Sequence, residues 1–262
     1  MKKPVASRRR PLLEVLQALE PATDREELLA RILCGEVRVG GARIRDPRFP
    51  AAGGEVSLQR RRFVSRGGLK LDGALAAHGP KVQGLCLLDA GCSTGGFTDC
   101  LLQRGASRVI AVDVGYGQLD WRLRRDPRVT LLERTNILSL SRETLPAPPD
   151  GAVADLSFRS LRGAAAQLLA LTGGGWLVAL VKPQYEWRAP GEGFRGVVRD
   201  PRVRAQVLRG LAADLEAEGV FLQRVAASSP AGARGNREYF FWLSLKPGDL
   251  APEGPWEGLP LE

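Results

Sequence analysis

Cysteine and histidine are scarce in this chain: of its 262 residues, four are cysteine and one is histidine. None of Cys34, Cys86, Cys92 and Cys100 stands in CxxC spacing, and His78 has no cysteine close by in sequence, a pattern that speaks against a zinc site. A chain of this length buries enough apolar surface to fold without a disulfide framework. Reduced thiols are therefore expected, with Cys86, in an apolar run, serving as a small hydrophobe. Long apolar runs are missing too. No stretch approaches the roughly 18 uninterrupted apolar residues that a membrane span requires. The opening "MKKPVASRRRPLLEVL" carries charges but no apolar segment of signal length. The expectation is a soluble, cytoplasmic protein that needs neither metal nor membrane. Lysine is the last shortage: only six of the 38 basic residues are lysine, the rest arginine.

Positive charge, by contrast, is plentiful and unevenly spread. The net charge is +9, and residues 1–66, with 15 basic and 8 acidic side chains, supply +7 of it. A surplus placed this way suits a polyanionic partner gripped mainly at one end. In that region "PLLEVLQAL" has apolar residues at helical spacing. "ATDREELLARILCGEV" reads as a second helix, capped by Thr23 or Asp24, ended by Gly35, with Leu28, Leu29, Ile32 and Leu33 on its apolar face. "VRVGGARIRDPRF" then reads as a β-hairpin turning at Gly40 and Gly41. This module carries Arg25, Arg31, Arg38, Arg43, Arg45 and Arg48.

After "LQRRRFVSRGG" the pattern changes. Strands are predicted at 85–90, 108–114, 129–133, 151–156, 175–182, 221–226 and 238–245, and helices at 69–78, 97–104, 161–171 and 201–218. Strands alternating with helices predict an α/β, mainly parallel, doubly wound sheet with its ligands at the carboxyl ends of the strands. The last two strands are joined only by "SSPAGARGNR", too short for a crossover helix, so they should pair antiparallel. A parallel sheet ending in one such hairpin is the arrangement of the S-adenosylmethionine-dependent methyltransferases.

Within that frame, "LLDAGCSTGGFTDCLL" at 87–102 is a strand, a glycine turn and the start of a helix. Its GxxxGG spacing differs from the GxGxxG of a dinucleotide site. Asp89, just before the turn, would repel a phosphate but suits the cationic amino acid end of S-adenosylmethionine. Asp113, 22 residues after Gly91, stands where an acid accepts both hydroxyls of an adenosine ribose. Asp89, Gly91, Ser93, Thr94, Gly95, Gly96, Phe97, Asp113, Asn136 and Asp155 are accordingly the expected cofactor contacts.

Four further residues bear on the chemistry: Lys70 in "VSRGGLKL", Asp155 in "GAVADLSF", Lys182 in "LVALVKPQYE" and Glu238 in "GNREYFFWL". Two of the six lysines fall among them. Lysine can lose its proton and act as a base, which arginine cannot do in a protein. The set resembles the Lys-Asp-Lys-Glu tetrad of the FtsJ-like ribose 2′-O-methyltransferases. The stretch "ATDREELLARILCGEVRVGGARI" resembles an S4 RNA-binding domain, with Gly40 where asparagine is usual. Taken together, "SRGGLKL", "DAGCSTGGFTD", "VDVGYGQL", "DLSFRSL", "VKPQYE" and "GNREYF" resemble, in order, the motifs of the TlyA (hemolysin A-type) rRNA methyltransferase family, with Tyr185 replacing the common phenylalanine.

That resemblance implies an S4 domain at 8–58, a linker at 59–68, a Rossmann-like class I methyltransferase domain of seven strands at 69–246 and a tail at 247–262. It implies S-adenosylmethionine as cofactor, cytidine in ribosomal RNA as substrate, Lys182 as the base, and Lys70, Asp155 and Glu238 around it. The leaving group becomes neutral, so no metal is implied. Arg25, Arg31, Arg43, Arg45, Arg60, Arg61, Arg62 and Arg66 are the expected RNA contacts. The loop "QYEWRAPGEGFRGVVRD", with Trp187, Arg188, Phe194 and Arg195, could stack on a flipped-out base or be an ordinary surface loop. Three other readings stand against this one. A non-catalytic assembly factor with a methyltransferase fold would not need the intact tetrad. A pore-forming hemolysin would need a membrane-length segment. Amino methylation of bases would call for a [DNS]PPY loop where "DLSF" stands.

Overall fold

In the computed structural model, which describes residues 9–33, 35–58, 62–157, 160–190, 194–232, 235–248 and 256, the chain divides into two units, residues 1–62 and 63–262. The first contains β1 (Arg10–Pro11), α1 (Leu12–Leu19), α2 (Arg25–Leu33), β2 (Val37–Val39), β3 (Ala42–Ile44), β4 (Pro50–Ala51) and β5 (Val56–Leu58). Asp24, rather than Thr23, caps α2 by accepting from Glu26 N at 3.0 Å. Gly40 and Gly41 both hold positive φ, as the tight hairpin between β2 and β3 demands. β5, a strand not expected from the sequence, pairs with the other edge of β2, giving the order β3-β2-β5. Leu12, Leu16, Leu28, Ile32 and Val37 are fully or almost fully buried and form this unit's own core.

The second unit runs α3 (Arg66–His78), β6 (Cys86–Ala90), α4 (Gly96–Gln103), β7 (Arg108–Val112), α5 (Trp121–Arg124), β8 (Val129–Leu132), β9 (Gly151–Ala154), α6 (Ala164–Leu171), β10 (Trp176–Val181), α7 (Pro183–Glu186), α8 (Pro201–Ala217), β11 (Phe221–Ala227) and β12 (Tyr239–Ser244). All seven expected strands are present, in the order β11-β12-β10-β9-β6-β7-β8. β6 through β10 pair in parallel, and β12 lies antiparallel between β10 and β11. The α/β class and the terminal hairpin thus stand as expected. α3 begins three residues before its expected start, because Ser65 caps it by accepting from Gly67 N at 3.3 Å.

Alternation along the strands sets the layers. Leu88, Ile110, Ala152, Leu177 and Phe241 face α6 and α8, whereas Leu87, Val109, Val153, Val178 and Phe240 face α3 and α4. The strand order reverses between β6 and β9, which opens a crevice beyond their carboxyl ends. Among the described residues no helix is long and apolar enough to cross a membrane.

Candidate active site

Two cavities open at that crevice. The larger, about 540 Å³, is lined by Gly91, Ser93, Val112, Asp113, Asn136 and Asp155, among others. Asp113 directly follows β7, and its carboxylate accepts from Ser93 N at 2.8 Å and Gly115 N at 2.7 Å, which pins both turns that frame the cavity. Asn136 caps the short 3₁₀ turn Ile137–Ser139 through Leu138 N at 3.1 Å. Gly91 has φ +82°, and a Cβ there would meet the backbone oxygen of Asp155 at 2.7 Å, so only glycine lets β6 and β9 converge this closely. The volume suits a small molecule. Asp113 beside Val112, Ile137 and Leu156 suits a hydroxylated sugar carrying an aromatic base.

Asp89 does something other than line this cavity. It is fully buried, its Oδ2 accepts from Thr98 Oγ1 at 2.6 Å, and its Oδ1 has no hydrogen-bond partner. Burial pushes its carboxyl up to about 7, against the pull of the Thr98 hydroxyl, with the charges of Asp155 and Asp113 adding to the rise. Its orphaned acceptor suits the cationic end of the sulfonium donor expected from the sequence, although the carboxyl lines neither cavity.

The smaller cavity, about 230 Å³, shares Gly91, Ser93 and Asp155 with the larger and adds Ser65, Arg66, Lys70, Thr94, Gly96 and Phe97, among others. Glycine governs its walls as well. A Cβ on Gly96 would stand 2.2 Å from Ser65 Oγ and 2.9 Å from Gly68 N, so α3 and α4 touch through their first turns. Gly95 lines neither cavity. With φ +92° it packs on Leu123, 2.3 Å from where its Cβ would be. The glycines of "STGG" therefore join elements more than they face a ligand.

The contact between α3 and α4 delivers Lys70, which is buried and paired with Glu238 at 2.5 Å. Val181 stands opposite Tyr239 in the β10–β12 register, which sets Lys182 and Glu238 at neighbouring positions just past it. Gly232 leaves room for the Glu238 carboxyl, since a Cβ there would fall 2.0 Å from Oε1. Lys182 Nζ lies 2.5 Å from Asp155 Oδ1, a contact of charge rather than of hydrogen-bond angle, and donates to Ser157 Oγ at 2.9 Å. Lys70 and Asp155 line the same cavity. The four residues thus form two ion pairs, each lysine with its own carboxylate, at one end of the sheet. Glu238 reaches Lys70, not Lys182.

Ser157 is the contact that sequence reading passed over, although it sits in the "DLSF" motif. Gln118, which accepts from Ser93 Oγ at 3.1 Å, was missed as well. Among the expected RNA contacts, Arg25, Arg43, Arg45, Arg62 and Arg66 are exposed, Arg31 is paired with Glu27, and Arg60 and Arg61 lie outside the described residues, as does Cys34. In the loop after α7, Trp187 already stacks edge-on against Phe194, with centroids 5.1 Å apart. Cys86, Cys92 and Cys100 are free thiols, and burial pushes Cys100 up to about 12. That leaves it an inert packing residue.

Comparison with known proteins places the chain among methyltransferases. The model of the FtsJ-like methyltransferases matches residues 63–245. The 16S/23S rRNA (cytidine-2′-O)-methyltransferase TlyA of Mycobacterium tuberculosis is 44% identical over 230 residues, covering 85% of each chain. Hemolysin A of Brachyspira hyodysenteriae is 36% identical, covering 70% of this chain and 77% of its own. A solved structure from Streptococcus thermophilus that carries a hemolysin name superposes with a TM-score of 0.64 at 32% identity, covering 94% of this chain and 90% of the other.

Proposed function

This chain belongs to the FtsJ-like methyltransferase family, and from that premise we propose that it moves the methyl group of S-adenosylmethionine to a ribose 2′-hydroxyl of ribosomal RNA, on a cytidine. One observation carries the reading. Two lysine–carboxylate pairs, drawn from four segments far apart in sequence, stand together beside a cavity of small-molecule size.

When bound, S-adenosylmethionine supplies a methyl group on a sulfonium that departs as a neutral thioether. Asp113 and Asn136 would hold the nucleoside end of the donor, with Val112, Ile137 and Leu156 as the apolar surface for its base. Asp89 would answer the cationic end. A ribose hydroxyl is too weak an acid to attack unaided, so its proton must leave as the new bond forms. Lys182 Nζ, in its neutral form after releasing its own proton to solvent, takes that proton. Asp155 and Ser157 hold the amine where it can do so. Lys70, steadied by Glu238 in the wall of the smaller cavity, orients the same hydroxyl and offsets the charge that develops on its oxygen.

The first unit fits an S4 RNA-binding domain at residues 8–58, with Arg25, Arg43 and Arg45 exposed to meet phosphates. A cytoplasmic setting follows from a ribosomal substrate. Lys182→Ala tests the core of the reading. Methyl transfer to rRNA should fall by about 10²–10⁴-fold, the usual worth of a general base, while calorimetry still detects donor binding. Turnover like that of the wild type would remove the base. Mass spectrometry of rRNA from cells lacking the protein should show a cytidine that has lost its ribose methyl group.

A further inference from the structure

We infer that Glu186 is a positioning residue for Lys182: a buried carboxylate that locks the turn carrying the proposed base to the segment carrying Asp155 and Ser157. The inference rests on the function proposed above.

Glu186 ends α7, one helical turn past Lys182, and its side chain is only 4% exposed. Its carboxyl takes three donors from one short stretch beyond β9. Leu161 N reaches Oε1 at 2.7 Å, while Ser160 Oγ and Arg162 reach Oε2 at 2.5 and 2.9 Å. The same Arg162 nitrogen also donates to the backbone oxygen of Glu186 at 3.2 Å, and its guanidinium continues to Asp214 of α8 at 2.7 Å. Asp214 in turn meets Arg188 at 3.1 Å.

The strand ends of β9 and β10 are therefore joined by two rungs. Lys182 to Asp155 and Ser157 is the first, and Glu186 to residues 160–162 is the second. Between the rungs lies a space of only about 10 Å³, walled by Leu156, Leu161, Lys182, Tyr185 and Glu186, among others. That is room for no more than one water molecule. With so little slack, a shift at the second rung is passed to the first. A buried, charge-paired carboxylate is a weak source of stability against an apolar replacement, but it fixes geometry well, because each oxygen accepts only along set directions. Glu186 lines neither of the two larger cavities, so its action on catalysis passes through Lys182.

The experiment compares Glu186→Ala, Glu186→Gln and Lys182→Ala in the full-length protein, by steady-state methyl transfer to ribosomal RNA, donor calorimetry and thermal unfolding. Misplacing a base by about 1 Å costs on the order of 100-fold. kcat of Glu186→Ala should accordingly fall about 10- to 100-fold, with KM and Kd for the donor within about twofold of wild type. Glu186→Gln, which keeps one oxygen as acceptor, should recover part of kcat, and it carries the test alone if the alanine variant does not fold. A kcat that stays at wild-type level in Glu186→Gln and in a folded Glu186→Ala, while Lys182→Ala is inactive, overturns the inference and leaves the base in place. Losses of kcat and donor affinity in parallel overturn it too, since a purely structural role would produce them. Turnover retained in Lys182→Ala overturns the proposed mechanism itself.

Discussion

Gly96→Ala isolates the contact that brings Lys70 to the site. Gly96 sits in the first turn of α4 without positive φ, so alanine suits the backbone and would by helix preference alone gain about 0.5–1 kcal/mol. The added methyl group, however, would stand 2.2 Å from Ser65 Oγ and 2.9 Å from Gly68 N. Ser65 can rotate away, but this gives up the cap on Gly67 N, worth about 1 kcal/mol. Gly68 N is part of the α3 backbone and can yield only if the helix retreats, by roughly half an ångström to reach ordinary contact. Overpacking of this kind costs about 1–3 kcal/mol, which in a domain of this size lowers Tm by roughly 2 to 12 °C. Lys70 travels with α3, so the catalytic rate should fall about tenfold. Gly73→Ala supplies the control. It lies on the exposed face of the same helix with nothing within 4 Å of its Cβ position. That variant should gain about 0.5–1 kcal/mol and keep full turnover. Thermal unfolding and single-turnover methyl transfer measure both. A Gly96→Ala protein with unchanged Tm and rate would show that the contact between α3 and α4 does not set the position of Lys70.

Three further outcomes follow from the same geometry. Asp113→Ala removes the acceptor that Ser93 N and Gly115 N share, and charge-assisted hydrogen bonds are worth about 1.5–3 kcal/mol; donor affinity should weaken about 10- to 100-fold, and a calorimetric Kd equal to wild type would refute the assignment of that cavity. Burial pushes the Asp89 carboxyl up to about 7 in the folded chain, so the folded state binds this proton more tightly than the unfolded one. The contribution of Asp89 is then full below about pH 4 and is lost as pH rises to about 7. Asp89→Asn, which keeps an acceptor for Thr98, should gain on wild type in urea unfolding across that window and by a constant amount above it; stability curves that run parallel from about pH 4 to 8 would count against the shift. Arg43→Ala should weaken RNA binding and flatten its dependence on log salt by about one unit, measured by titration at several salt concentrations; an unchanged slope would remove Arg43 from the phosphate-binding set.

How far the sequence alone could go differs between fold and site. The seven strands of the second unit were legible because each is a short apolar run between helical patterns, and because "SSPAGARGNR" is too short to cross the sheet. β5 was not. "VSL" is three residues long, half-buried, and becomes a strand only because the far edge of β2 is there to receive it. The start of α3 was misread for a related reason. "SRGG" has the composition of a linker, and its helicity depends on Ser65 capping a helix whose first turn lies against α4. The tetrad positions were visible as lysines in an arginine-rich chain, yet the pairing was not. Which carboxylate meets which lysine depends on the β10–β12 register and on the packing of α3 against α4, neither of which leaves a mark in composition.

The glycine turn shows most clearly what a motif conceals. In one short stretch, Gly91, Gly95 and Gly96 are each required, and each against a different neighbour. Gly91 lets the backbone of Asp155 approach and so holds two strand ends together under the larger cavity. Gly95 takes a left-handed backbone and packs on Leu123 of α5. Gly96 adopts an ordinary helical conformation and is needed only because α3 comes so close. Reading all three as ligand contacts would assign to the donor a set of constraints that come from the protein itself. The turn is better understood as a joint where β6, α3, α4 and α5 converge. The position of Lys70 in the wall of the smaller cavity, which Asp155 also lines, is then fixed by packing before any ligand arrives.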